Sequence, residues 1–142
     1  MAISKDTLTT NIWDEIYTHL QTTNPISTNN IFSAWNSTLA TSKGYPLVII
    51  HPPEASVEKL NVTGDFIQSE VNILIEVYHN SAENLKVIKD QIVSSLLSAR
   101  RALSSVGLKR MNMEGGDVDT WEEGKKKRHR CGFTVSFMYA EV

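Results

Sequence analysis

Four histidines, one cysteine and a D-x-D triplet are the residues of this chain whose types could do chemistry. His19, His51, His79 and His129 are far apart, and none sits in H-x-H or HExxH spacing. Each reads as an ordinary surface or partly buried imidazole. Asp117-Val118-Asp119 places two carboxylates on one face of an extended strand, yet the further oxygen ligands of a calcium loop do not follow it. Cys131 lies inside an apolar alternation and reads as a small core residue. A single cysteine excludes an intramolecular disulfide and a CxxC metal knuckle. There is no Walker A loop, no GxGxxG and no GxSxG, and Gly115-Gly116 reads as a bend rather than a phosphate cradle. The expectation is a protein with no catalytic residue, no metal and no cofactor.

The strongest charge feature is "KKKRHR", Lys125 to Arg130, set directly against the alternation "CGFTVSFMY". The stretch before it, "EGGDVDTWEE", holds five acids, so the two blocks cancel. With Glu123-Gly124 at the centre of a tight turn, Glu122 faces Lys125, Asp119 faces Arg128 and Asp117 faces Arg130. Opposite charges directly across a hairpin contribute roughly 0.2–1 kcal/mol each. If Lys125, Lys126, Lys127, Arg128 and Arg130 gripped DNA, the neighbouring carboxylates would oppose the phosphates and weaken counterion release. The run therefore reads first as half of a charge-paired ribbon, within the chain or between subunits. DNA passing without sequence readout is the alternative, and a plain solvated face the third. Trp35 and Trp121 fall in an irregular segment and on the hairpin. Exposed, they would be interface anchors, the residue type that often dominates binding energy; core packing is the other reading.

These residues need elements to hold them. A chain of 142 residues is about one domain, 1–142, with an ordinary hydrophobic fraction of 41% and a formal net charge of −2. No global positive field draws it to nucleic acid or an acidic membrane. No run approaches ~18 apolar residues, so no membrane span is expected. The first residues lack a secretory leader, and assembly in a cytosol-like compartment is expected. The N-x-S/T triplets at Asn36 and Asn61 then read as chance.

Leu8, Ile12, Ile16 and Leu20 put an apolar face on a helix between Lys5 and Gln21, with Trp13 and Tyr17 widening it. The Ser/Thr/Asn-rich segment 26–45 has no clear period. "PLVIIHPP" is a short strand, and residues 53–68 read as an extended polar excursion with a bend at Gly64-Asp65. In "SEVNILIEVYH", Val71, Ile73, Ile75 and Val77 alternate with Asn72, Leu74, Glu76 and Tyr78, which argues a half-buried strand. Ser81 is a suitable N-cap for a long helix through Leu85, Ile88, Ile92, Leu96, Ala99 and Leu103, ended by Gly107. "LKRMNMEGG" and the alternation from Cys131 to Tyr139 supply two more strands.

The fold class that follows is α+β, in the order α-β-β-α-β-β. It has a mainly antiparallel sheet of four or more strands, two amphipathic helices on one face and a projecting charged hairpin. The face opposite the helices carries Asn72, Glu76, Thr134 and Ser136 beside Leu74, Tyr78 and Met138, a mixture that suggests contact with another chain.

This layout, from "LTTNIWDEIYTHL" through "YPLVIIHPP", "SEVNILIEVYH" and "SAENLKVIKDQIVSSLL" to "GFTVSFMY", resembles the tail-terminator and tail-completion proteins of long-tailed bacterial and archaeal viruses. More loosely it is similar to their head-closure relatives. The resemblance covers about Thr7 to Tyr139 and is one of architecture, size and segment character. It implies a virion subunit, assembled in the host cytoplasm, that forms a cyclic homo-oligomer, commonly a hexamer. Such a ring caps the tail tube, stops its growth and presents a surface to the neck or head-closure protein. It also places segments 26–45, 53–68 and 114–130 at those contacts. The basic run departs from that pattern. A small nucleic-acid-binding module and a small enzyme are the competing classes; the latter lacks any clustered motif.

Overall fold

The computed structural model describes residues 8–23, 31–33, 46–60, 67–123 and 125–140. Helix α1 (Leu8–Thr23) buries Ile12, Ile16 and Leu20 completely, the stripe expected from their spacing of four. On its flank Trp13 and Tyr17 stack, with centroids 5.1 Å apart and planes 13° off parallel. The Trp13 indole N–H donates to the Ile50 carbonyl oxygen at 2.7 Å. Each buried isoleucine or leucine is worth roughly 1.5–3 kcal/mol, against about 1 kcal/mol net for a hydrogen bond. The stripe therefore seats the helix, and the indole fixes how it is rotated.

The strands are β1 (Ile31–Phe32), β2 (Leu47–Ile50), β3 (Glu54–Leu60), β4 (Ile67–His79), β5 (Leu108–Glu123) and β6 (Lys126–Ala140). They form one sheet in the order β1-β2-β4-β6-β5, with β3 also on β4. Among the described residues only the short β1–β2 pair is parallel. β2 and β3 lie end to end along the same edge of β4. Pro52 and Pro53 carry no backbone N–H, so the ladder breaks between them. From Ile50↔Ile75 to Glu54↔Asn72 the outer chain advances four residues while β4 advances three.

Between β4 and β5 the chain is helical. The Ser81 hydroxyl caps α2 (Ala82–Ser98) by accepting from the Asn84 N–H at 3.4 Å, and Glu83 sits in its first turn. A carboxylate there complements the positive end of the helix dipole. The helix breaks at Ala99 and resumes as α3 (Arg100–Ser105); Gly107, at φ 109°, ends it. One long helix was expected, and the single-residue break divides it without redirecting its apolar stripe, since Leu85, Ile92, Leu96 and Leu103 are all buried.

The core lies between these helices and the inward residues of β4 and β6. Val71, Ile73, Ile75 and Val77 meet Cys131, Phe133, Val135, Phe137 and Tyr139 there, none more than 3% exposed. The α+β architecture and the antiparallel character agree with the sequence reading. Three things differ. Among the described residues there are three helices, two extra strands (β1 and β3), and a hairpin that belongs mostly to the sheet. β3 replaces the first part of the expected polar excursion; the bend at Gly64-Asp65 lies outside the described residues.

Candidate functional site

The face turned away from the helices is where function is to be sought, because its two ends differ. At the β2 end Leu47 and Ile49 are fully buried, and Tyr78 and Glu76 are each 7% exposed. Further along β4, Leu74 is 39% exposed beside Asn72, Thr134, Ser136 and Met138. The Ser136 hydroxyl donates to the Asn72 side-chain oxygen at 2.8 Å.

Glu76 anchors a polar row that crosses four strands. Its carboxylate meets the His51 imidazole just beyond β2, and the Tyr78 hydroxyl donates to it at 3.4 Å. Arg130 Nη1 on β6 lies 3.2 Å from the same carboxylate, and its Nη2 donates to Asp119 on β5 at 2.7 Å. A buried carboxylate is costly unless its oxygens are matched by donors or cations. Here three side chains from three different positions in the chain do so. The hydrogen bond to Asp119 is the chief reason the Arg130 pKa is raised. Burial, reinforced by the Glu76 charge, raises that of Tyr78. Next to the row is a cleft of about 400 Å³ lined by Glu76, Glu114, Asp117, Asp119 and Arg130.

The hairpin register corrects the expected pairing. Glu123 faces Lys126, Glu122 faces Lys127, Trp121 faces Arg128, Thr120 faces His129 and Asp119 faces Arg130. Lys125 therefore precedes the paired part of β6, and the expected partners of Glu122 and Asp119 are each displaced by two residues. Asp119 thus pairs with Arg130, not with Arg128. Asp117 has no partner on β6, because it lies in a bulge between Gly115 and Val118. A shift of two keeps every side chain on its face, so opposite charges still oppose. Thr120 and His129 are joined at 2.9 Å.

The hairpin is also less of an arm than expected. β4 runs beside β6 as far as His79↔His129, so only residues 121–128 extend past it. At ~3.3 Å per residue, the tip reaches roughly 10 Å beyond β4. Lys125 and Lys127 are exposed there. Asp119 and Arg130 belong to the sheet, Lys126 and Trp121 occupy tip register positions, and Trp35 lies outside the described residues.

Cys131 is buried, donates to the Gly116 carbonyl oxygen at 3.3 Å and has its pKa raised chiefly by burial. Burial and a raised pKa are the setting of a packed thiol, the opposite of the exposed, electropositive setting that activates one. Among the described residues no group of three or more His, Cys, Asp or Glu is placed to hold a metal ion. No described helix is long and apolar enough to cross a membrane.

The sequence reading missed a gathering of three arginines. Arg100 and Arg101 on α3 and Arg110 on β5 line a groove of about 610 Å³ with Ser104, Ser105, Leu108 and Met111. Arg110 has φ 56°, a left-handed conformation uncommon for a residue with a side chain, where β5 bulges between Lys109 and Asn112. Arg100 and Arg101 lie near the C-terminal end of the helical stretch, where cations complement the helix dipole, and that reading alone gives no reason to group them with Arg110. Nothing in the sequence marks Arg110 as a bulge.

No family model matches the chain, and no curated protein matches it. Among solved structures, a chain of one described as "Virion of native gene transfer agent (GTA) particle" is similar at a TM-score of 0.45 and 12% identity. The match spans 87% of this chain and 91% of that one. A likeness of that size carries no functional information.

Proposed function

We propose that this chain is a structural virion subunit that works by assembly and not by catalysis: a ring-forming protein that caps the tail tube and joins it to the head. The supporting observation is the edge of the sheet. β5 is 16 residues long and pairs with β6 alone among the described residues. A long free edge is a row of unpaired N–H and C=O groups that proteins ordinarily cover or blunt. Here it adjoins a half-polar face with an exposed Leu74, a combination suited to a neighbouring subunit. The segment order that resembles tail-terminator proteins points the same way.

In this reading six copies close a ring, the tube protein docks below and a neck or head-closure protein above. Each contact would bury on the order of 800 Å² per partner. The decisive experiment is electron microscopy of particles assembled without this chain. Tails of uncontrolled length, without attached heads, are expected; tails of uniform length on filled heads would refute the role.

The lysines at the hairpin tip favour one second reading, a contact with DNA passing through the ring. Glu122 and Glu123 stand opposite Lys127 and Lys126, which weakens it. Steep salt dependence of binding to a duplex, lost on neutralising Lys125 and Lys127, would support it.

A further inference from the structure

The arginine groove is not used by the polar row, and among the described residues its charge is not answered locally. Arg100, Arg101 and Arg110 are all exposed, and none forms an ion pair among the described residues. Three guanidiniums that form no ion pair among the described residues are gathered around one groove, on a chain whose formal net charge is −2, a grouping whose chemistry suits an oxyanion. Guanidinium forks match carboxylate and phosphate oxygens in pairs. The bulge that holds Arg110 at φ 56° also turns it out of the strand's ordinary alternation.

The same strand carries the complement. The cleft beside Arg130 has four carboxyl side chains and one guanidinium. Glu114 and Asp117 form no ion pair among the described residues, and both are exposed. From Arg110 to Asp117 is about 20 Å along β5 at ~3.3 Å per residue. Charges that far apart are screened from each other within one molecule, where the Debye length is about 8 Å at physiological salt. The two clefts open on different sides of the sheet: α3 belongs to the helix layer, whereas Glu76, Leu74 and Thr134 line the acidic cleft on the other face.

We propose that the arginine groove of one copy receives the acidic cleft of the next, so that Arg100, Arg101 and Arg110 meet Glu114, Asp117 and Asp119 of an identical chain. The inference rests on the ring reading above and specifies how the ring closes. Two unlike patches on one subunit make a heterologous contact, and such contacts close into rings when the rotation permits. Complementary charge also fixes the register and speeds the encounter.

The test uses the full chain in sedimentation velocity at low and high salt. Two charge-reversed variants are compared with it, R100E/R101E/R110E and E114K/D117K. Asp119 is left intact because it holds Arg130. Wild type is expected to self-associate, more weakly as salt rises. Each variant alone is expected to associate at least tenfold more weakly. An equimolar mixture should recover association, because reversed clefts then meet reversed partners, and that recovery also shows that both variants are folded. If wild type oligomerises and neither variant changes it, the charge contact is overturned and the ring stands. If wild type is monomeric at every salt concentration, both are overturned. If the arginine variant instead loses binding to a fluorescent DNA duplex with its oligomeric state unchanged, the groove is a phosphate site and the contact is overturned.

Discussion

The Glu76 carboxylate and the Arg130 guanidinium lie 3.2 Å apart between β4 and β6, on the sheet face opposite the helices. They are not direct cross-strand partners: Gly132 faces Glu76, and Arg130 faces Tyr78. The diagonal runs past Gly132, where even an added Cβ would make only ordinary contacts, and Arg130 also reaches Asp119 on the far strand. A single cation thus joins β4 to the edge strand β5.

The two ends of that tie are unequal. The side chain of Glu76 is 9% exposed and that of Asp119 is 63% exposed. Losing the cation strands a buried carboxylate, whereas losing Asp119 frees an exposed one. Arg130→Ala should therefore destabilise the fold by about 1–3 kcal/mol, and Asp119→Ala by less than about 1 kcal/mol. Urea unfolding of both variants measures the difference. Equal losses would mean that Glu76 does not depend on Arg130.

Alkaline pH isolates Tyr78. Burial raises its pKa above the usual value, so the folded state holds the phenolic proton more tightly than the unfolded chain. The resulting stability is complete below the unfolded value of about 10. It is lost as pH rises from there through the higher folded value. Thermal midpoints of wild type and Tyr78→Phe, followed from pH 8 to pH 11.5, should keep a constant offset at first. They should then converge or cross as wild type weakens. Parallel curves throughout would remove the tyrosine from the account.

Cys131 offers a reporter for opening of the sheet. Its thiol is buried under the Gly116 bulge, and burial raises its pKa, so the reactive thiolate is scarce and shielded. Alkylation by iodoacetamide at pH 7.5 should be at least a hundredfold slower in the native protein than in urea. Its rate should also follow the opening equilibrium. Rapid labelling of the native chain would show that the β5–β6 end is not closed as described.

How far the sequence spoke depended on whether a residue's neighbours in space were also its neighbours in pattern. Val71 to Val77 and Cys131 to Tyr139 alternate strictly because one side of each strand faces the core, and both strands appear as read. The hairpin's charge complementarity was legible, but its register was not. Any turn that shifts the pairing by two residues preserves the same alternation, and the bulge at Gly115–Val118 took Asp117 out of the ladder. β3 was opaque because in "EASVEKL" the short alternation of Ala55 and Val57 is broken before Leu60, where the pairing with β4 shifts register, and pairing with β4 is a tertiary fact. The Glu76–His51 contact spans 25 positions, beyond any local pattern. The arginine groove needed both the bulge at Arg110 and the α3–β5 junction, and neither has a sequence mark.

The glycines of this region separate strain from simple room. Gly115 has φ 98°, and a Cβ there would stand 3.1 Å from the Gly132 carbonyl oxygen, a rigid backbone atom. At Gly132 the nearest atoms to an added Cβ are Glu76 Cγ at 3.7 Å and Leu74 Cδ1 at 3.8 Å, ordinary contacts, and φ there is not left-handed. Gly115→Ala should cost about 1–3 kcal/mol through its backbone conformation and the clash. Gly132→Ala should fall within about 1 kcal/mol of wild type, since a less flexible unfolded chain offsets any crowding. The Gly115 bulge also sets which acid faces Arg130. A double-mutant cycle between Asp119 and Arg130 in the Gly115→Ala background should therefore show a smaller coupling than in wild type. An undiminished coupling would mean that the register of the edge strand is held by the hairpin tip and not by the bulge.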